Sequence, residues 1–285
     1  MDKKTTKYLR NVVIHALKAA YDVHISLGEK GKKPVELDNE PVINQFGDQP
    51  VQLDVSAEKA VITSLKKHNV FIRVISEEHG TTDTEKKPEY LGILDGLDGS
   101  GVYAEHGNDG RFGTMFAIYE NLEPTYNDYV ACGIMDHSTG NMYIASKRGG
   151  AIMYDGTKFS SIYTSLYSDI TAEAGIYIDE YFDINKTTFS QKLQQFSPKY
   201  LKASAPYYAD VASDNAALAL ECTRKNNLEL AVAYGLIKEA GGVMVDLQGN
   251  DIGDKPYLTF GQDEHVPIIT AANRDLVEKL LEIIN

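Results

Sequence analysis

The stretch Ile93–Gly101, ILDGLDGSG, constrains the chain more than any other. An apolar run, YLGIL, ends on two aspartates, Asp95 and Asp98, interleaved with Gly96, Gly99 and Gly101. What reads as a buried strand therefore passes directly into a turn carrying paired carboxylates. Repeated Asp-Gly is ordinary turn chemistry and is enough to reverse a chain. It is equally what a ligand site needs, because binding groups gather where strands end and loops take over.

Around this stretch the chain alternates helix-like and strand-like segments. Leu9, Val12, Val13, Ala16, Leu17, Ala20 and Val23 recur at helical spacing and predict a helix over Thr5–Leu27. Residues 28–50 are rich in Gly, Pro, Lys and acids, carry no period, and read as a mobile loop of a length that often serves function. LDVSAEKAVITSLKKH predicts a second helix with Ala57, Ala60, Val61 and Leu65 inward. FIRVIS, YLGIL, GTMFAIYE, DYVACGIM and NMYIAS read as strands. Composition shifts near Lys147–Tyr154. Beyond it AGIYID reads as a strand, and KTTFSQKLQQF and SDNAALALE as helices. LELAVAYGLIKEAGG is the strongest helix of this half, with Gly241-Gly242 as its stop. GGVMVDL and VPIITAA read as strands and RDLVEKLLEII as a closing helix.

Composition narrows the function. A chain of 285 residues can bury a full core. A formal net charge of -13 argues against nucleic acid or an anionic membrane as partner. No apolar run approaches the ~20 residues that span a bilayer. The N-terminus lacks the apolar core of a secretory signal. Cys132 and Cys222 are too few for a disulfide framework and suit a reducing cytoplasm. An anionic substrate would need bound cations, or clustered Lys and Arg, to invert the local field.

Three acidic sites have the placement to converge: Glu77-Glu78 where FIRVIS ends, Asp95 and Asp98 where YLGIL ends, and Glu229 at the start of the long helix. Each has a plainer reading: a solvated pair, a turn, and an acid favoured by a helix N-terminus. Taken together, carboxylates this close repel and require a positive charge. A hard divalent cation with oxygen ligands fits, and Mg²⁺ held by few carboxylates usually binds substrate phosphate as well. No CxxC, HExxH or EF-hand spacing points to zinc or calcium. Gly99 and Ser100 add backbone N–H groups and a hydroxyl that suit a phosphate.

The order and spacing of these segments resemble the metal-dependent, often lithium-sensitive phosphatase superfamily of inositol monophosphatase and fructose-1,6-bisphosphatase. Asp95-Gly96-Leu97-Asp98-Gly99-Ser100 is similar to its Asp-Pro-(Ile/Leu)-Asp-Gly-(Thr/Ser) signature. GDQPVQLDVSAEKAVITSLKK with VISEE, and GTMFAIYE, resemble the bisphosphatase branch. GIMDHSTGNMYIASKRGGAIMYDGTKF resembles the inositol branch, and EAGGVMVDLQG is shared broadly. The resemblance implies an α/β (α+β) fold, a layered αβαβα sandwich. Residues 1–155 would form a sheet-and-helix half with most metal ligands, and residues 156–285 an α/β half that completes the site.

It further implies metal ligation by Glu77, Glu78, Asp95, Asp98, Glu229 and the main-chain carbonyl of Leu97. Asp54 would orient or deprotonate the attacking water. With Glu77 and Ser100 it forms the implied catalytic set. Gly99 and Ser100 would hold the phosphate, while Arg224 and Lys225 are candidates for the rest of the substrate or simply a solvated basic pair. Two or three Mg²⁺ ions are implied, with Mn²⁺ as a substitute, together with a small sugar or inositol phosphate substrate and a homodimer. A 3'-phosphoadenosine 5'-phosphate type nucleotidase, a catalytically weak binding relative and a calcium-stabilised structural protein are the alternatives. Gly96 departs from the signature proline, which would fix φ and stiffen the turn.

Overall fold

The computed structural model describes residues 1–44, 47–200, 202–224 and 226–285. Helices α1 (Lys3–Leu27) and α2 (Gln52–Lys67) lie together on one face of an eight-stranded sheet. Its strands are β1 (Ile72–Ser76), β2 (Gly80–Asp83), β3 (Tyr90–Asp98), β4 (Gly113–Tyr119), β5 (Tyr129–Asp136), β6 (Met142–Ser146), β7 (Gly150–Tyr154) and β8 (Phe159–Ile162). Their spatial order is β8-β7-β6-β5-β4-β3-β1-β2. Neighbours are antiparallel except β1 and β3, which run parallel. The short helix α3 (Ser100–His106) follows β3 directly.

Alternate residues of the central strands serve opposite faces, as the two-residue period of a strand requires. Leu94, Phe116, Ile118 and Ile144 pack toward α1 and α2, burying Leu9, Val13, Leu17, Leu53 and Val61. Leu91, Ile93, Met115, Ala117 and Ile134 pack the other way, against α4 (Ala205–Ala212) and α5 (Leu228–Ala240). Covering both faces explains why these strands are apolar almost throughout.

A second sheet covers the far side of α4 and α5 through Ala219, Met244 and Ile268. It comprises β9 (Ile176–Ile178), β10 (Lys199–Tyr200), β11 (Leu218–Cys222), β12 (Val243–Val245) and β13 (Pro267–Ala271), in the order β10-β9-β11-β13-β12. Helix α6 (Arg274–Ile284) and helical turns between Asp183 and Phe196 close its outer face. The layers are thus helix, sheet, helix, sheet, helix, the αβαβα sandwich the sequence resemblance implies. The hairpin β7–β8 carries the first sheet past residue 155, and the second begins at Ile176.

Three segments differ from expectation. SDNAALALE has helical composition, yet Leu218–Cys222 is a fully buried strand, parallel to β9 and antiparallel to β13. Ladders on both sides outweigh a helix propensity of a few tenths of a kcal/mol per residue. Helix α4 escapes pattern reading because all of its residues are buried, leaving no polar face to define a stripe. In residues 28–50 the chain forms a 3₁₀ turn at Gly28–Lys32 and a short hairpin pairing Glu36–Leu37 with Glu40–Pro41. Cys132 and Cys222 are free and buried. No described helix is long and apolar enough to cross a membrane.

Candidate active site

Because β1 and β3 are parallel neighbours, with Ser76 opposite Leu94, both strands end at the same edge. Glu77-Glu78 and the Asp95–Asp98 turn therefore leave the sheet side by side. Strand β3 bulges there: Asp95 pairs with Met115 and Asp98 with Gly113, so Gly96 and Leu97 share the single partner Thr114. The Leu97 N–H donates to Asp95 Oδ1 at 3.0 Å. The Ala205 N–H, at the start of α4, donates to Asp98 Oδ2 at 2.6 Å. Glu229 sits in the first turn of α5. Asp95, Asp98 and Glu229 each place an oxygen within 4.8 Å of the other two.

Glu77 and Glu78 stand beside this trio. The Asn44 side chain donates to Glu77 Oε1 at 3.2 Å and to Glu78 Oε1 at 2.9 Å. Glu77 and Glu229 line a cleft of ≈ 400 Å³ that also receives Asp48 from the 28–50 segment. Asp54 lies in the first turn of α2, 3% exposed, and its Oδ1 has no hydrogen-bond partner among the described residues. A Cβ added at Gly96 would stand 2.6 Å from that oxygen, so Asp54 presses directly on the bulge.

This contact accounts for the departure from the signature. The added Cβ would also lie 2.6 Å from Glu58 Cγ and 2.8 Å from the Asp54 carbonyl oxygen. Glycine here is a close-approach residue rather than a slack turn. Gly96→Pro is expected to destabilise the protein by about 1–3 kcal/mol through overpacking. A melting temperature at or above the parent's would contradict the steric account.

Glu58 was not singled out from sequence. It is fully buried, and its carboxylate accepts from the Ser76 hydroxyl at 2.8 Å and from the Glu78 and His79 N–H groups at 3.0 Å each. The His79 ring meets it through Nδ1 at 2.7 Å. Glu58 thereby fixes the turn that presents Glu77 and Glu78. Its one sequence signal is position: it follows Asp54 by one helical turn, so both acids share a face of α2.

Electrostatics mark the cluster. Burial, reinforced by Glu229 and Glu78, lifts Glu77 to about 8. Burial lifts Glu78 to about 7 against the opposing hydrogen bond from Asn44. Burial and then Glu229 lift Asp98 to about 7, opposed by the Ala205 and Ser204 amides. Asp54 and Asp95 are pushed well above the usual carboxylate range, first by burial and then by neighbouring acids. A divalent cation removes that conflict, and an all-oxygen donor set suits a hard one. The buried, unpartnered Asp54 oxygen is what a water-orienting acid needs.

Gly99 adopts φ +85°, and a Cβ there would meet Ala203 Cβ at 2.7 Å. It therefore caps α3 in a conformation that favours glycine and sets Ser100 in the first turn of α3. Arg224 is not a solvated cation. It pairs with Asp179 at 2.9 Å, Glu229 at 3.1 Å and Glu221 at 3.4 Å. Burial opposes its charge, but these carboxylates outweigh that and hold it firmly protonated. Lys225 lies outside the described residues. A second cavity, ≈ 440 Å³, shares Arg224 and Tyr181 with the acidic cleft and adds Tyr200, Tyr207 and Lys202.

This layered sandwich is shared with solved structures. The extragenic suppressor protein suhB from Bartonella henselae superposes with a TM-score of 0.75 at 20% identity, covering 97% of this chain and 98% of that one. A protein solved as an inositol monophosphatase–fructose 1,6-bisphosphatase gives 0.70 at 18% identity, covering 99% and 100%. The model of the inositol monophosphatase family matches residues 6–285. The chain belongs to that family. A curated relative, the bifunctional NADP phosphatase/NAD kinase of Methanococcus maripaludis, is 29% identical over 94% of this chain and 48% of its own length. The chain thus spans about half of that relative.

Proposed function

We propose that the chain is a Mg²⁺-dependent phosphomonoesterase that hydrolyses its substrate with an activated water. The observation that carries this reading is the convergence of Asp95, Asp98 and Glu229 beside Glu77, with the unpartnered Asp54 oxygen against the same bulge. Glu77, Glu78, Asp95, Asp98, Glu229 and the Leu97 carbonyl would hold two or three ions, with Mn²⁺ able to substitute. When bound, Mg²⁺ supplies Lewis acidity toward phosphoryl oxygens and lowers the pKa of water. Asp54 orients the attacking water and receives its proton. Gly99 and Ser100 bind the phosphoryl oxygens, Arg224 faces the remainder of the substrate, and Lys225 is kept from the sequence as a second candidate for that contact.

As substrate we place a nucleotide phosphomonoester first, reversing the preference drawn from sequence. The cavity beside the acidic cleft is walled by Tyr181, Tyr200 and Tyr207, whose faces suit a nucleobase better than a bare polyol. The NADP phosphatase named among the relatives points the same way. A small sugar or inositol phosphate is the second reading, favoured by the family's name and by the bisphosphatase among the structural neighbours. The two halves, 1–155 and 156–285, a homodimer and a cytoplasmic location belong to the same proposal.

Phosphate release from NADP, 3'-phosphoadenosine 5'-phosphate, inositol 1-phosphate and fructose 1,6-bisphosphate, each with Mg²⁺ and with EDTA, tests it. Release should require metal, and a nucleotide should lead in kcat/KM by about tenfold, the worth of one good aromatic contact. Preference for a polyol phosphate would select the second reading. No release from any ester by folded protein would leave a binding relative.

A further inference from the structure

We propose that Thr114 and His137 form a brace that sets the shape of the Asp95–Asp98 bulge, supplying the stiffness that a proline at position 96 would give. The proposal rests on the reading of this bulge as the metal-binding segment. Because the bulge sets two residues against Thr114, its peptide groups cannot all keep regular ladder partners. The Thr114 hydroxyl, fully buried, donates to the Gly96 carbonyl oxygen at 2.8 Å.

That bond determines the next one. A hydroxyl has a single proton, and a carbonyl oxygen can only accept. With its proton committed to Gly96, Thr114 Oγ1 meets His137 Nε2 at 2.8 Å as an acceptor. His137 therefore carries its proton on Nε2, and its bare Nδ1 is buried without a partner among the described residues. The ring is held by Phe112, stacked at 5.8 Å, and by His24, edge-on at 4.9 Å. Burial, with His24 adding to it, pushes His137 down to about 3, so the ring stays a neutral donor at working pH.

The chain His137–Thr114–Gly96 thus runs from a packed aromatic cluster to the peptide between the two aspartates. Gly96 leaves room for Asp54 but gives up the fixed φ of proline. Thr114 and His137 restore the constraint from outside the turn. They are positioning residues, since neither is itself among the proposed ligands.

Calorimetric titration of Mg²⁺ into the parent, Thr114→Val, Thr114→Ser and His137→Phe tests the brace, with melting temperatures of the metal-free proteins and turnover against Mg²⁺ measured alongside. Thr114→Val keeps the shape and loses the hydroxyl. It should weaken Mg²⁺ binding by about ten- to a hundredfold, the range for partners that orient metal ligands. Turnover at saturating Mg²⁺ should fall much less, and Thr114→Ser should bind Mg²⁺ within about threefold of the parent, since it keeps the hydroxyl. His137→Phe removes the donor from the other end and should weaken binding in the same direction, which keeps the test decisive if Thr114→Val does not fold. Unchanged binding in Thr114→Val or His137→Phe, or a failure of serine to rescue, would overturn the brace alone. A parent that binds no Mg²⁺ would overturn the brace together with the metal reading on which it rests.

Discussion

Asp98→Asn is expected to lower turnover by at least ~10³-fold, equivalent to about 4 kcal/mol of transition-state stabilisation, with the fold intact. Asp98 occupies two roles in one side chain. One oxygen accepts from the Ala205 N–H and so ties the end of β3 to α4. The carboxylate as a whole lies within the trio whose oxygens approach to 4.8 Å. Asparagine retains an acceptor for Ala205 but carries no charge toward a cation. Because burial and Glu229 already lift Asp98 to about 7, the neutral amide removes a repulsion in the metal-free state. At about pH 8 the metal-free variant should melt no lower than the parent. Turnover near that of the parent, at equal Mg²⁺, would remove Asp98 from the site.

The second large effect concerns pH. In the folded, metal-free protein Glu77 titrates at about 8, and Glu78 and Asp98 at about 7. In the unfolded chain the same groups titrate near 4. Between about pH 4 and 8 the native state therefore holds more protons than the unfolded one, and stability falls as pH rises. Mg²⁺ reverses the sign by replacing those protons. The metal-free melting temperature should decline from about pH 5 to 8, while the increment added by Mg²⁺ should grow over the same interval. Calorimetry at about pH 6.5 in two buffers of different ionisation heat should find about one to three protons released per protein. A flat melting curve in the metal-free protein, or binding without proton release, would contradict the electrostatic picture.

Much of this site was legible in the sequence for a physical reason. Asp95, Asp98, Glu77 and Glu78 follow strands whose apolar runs are plain, and ligands collect at strand ends. Glu229 opens a helix with a clear stop. What escaped reading depends on tertiary placement. Leu218–Cys222 looks helical by its alanines and becomes a strand because β9 and β13 flank it. Helix α4, which delivers the Ala205 N–H to Asp98, has no polar face to betray it. Glu58 looks like any solvated glutamate until the turn it holds is folded over it. Gly96 reads as a loosened proline turn, whereas Asp54 and Glu58 leave no space for a Cβ. Arg224 reads in the sequence as either a substrate contact or half of a solvated basic pair, and its pairing with three carboxylates drawn from β11, α5 and the loop after β9 excludes the solvated reading.

The most direct test of the account is crystallographic. Crystals soaked in Mn²⁺, with data collected at the manganese edge, should give two anomalous peaks, the two-metal arrangement. Both should lie among Glu77, Asp95, Asp98, Glu229 and the Leu97 carbonyl, with Asp54 facing them. A map with no peak at this edge, and Arg224 still paired to Glu229, would contradict the central claim that these carboxylates assemble to hold metal.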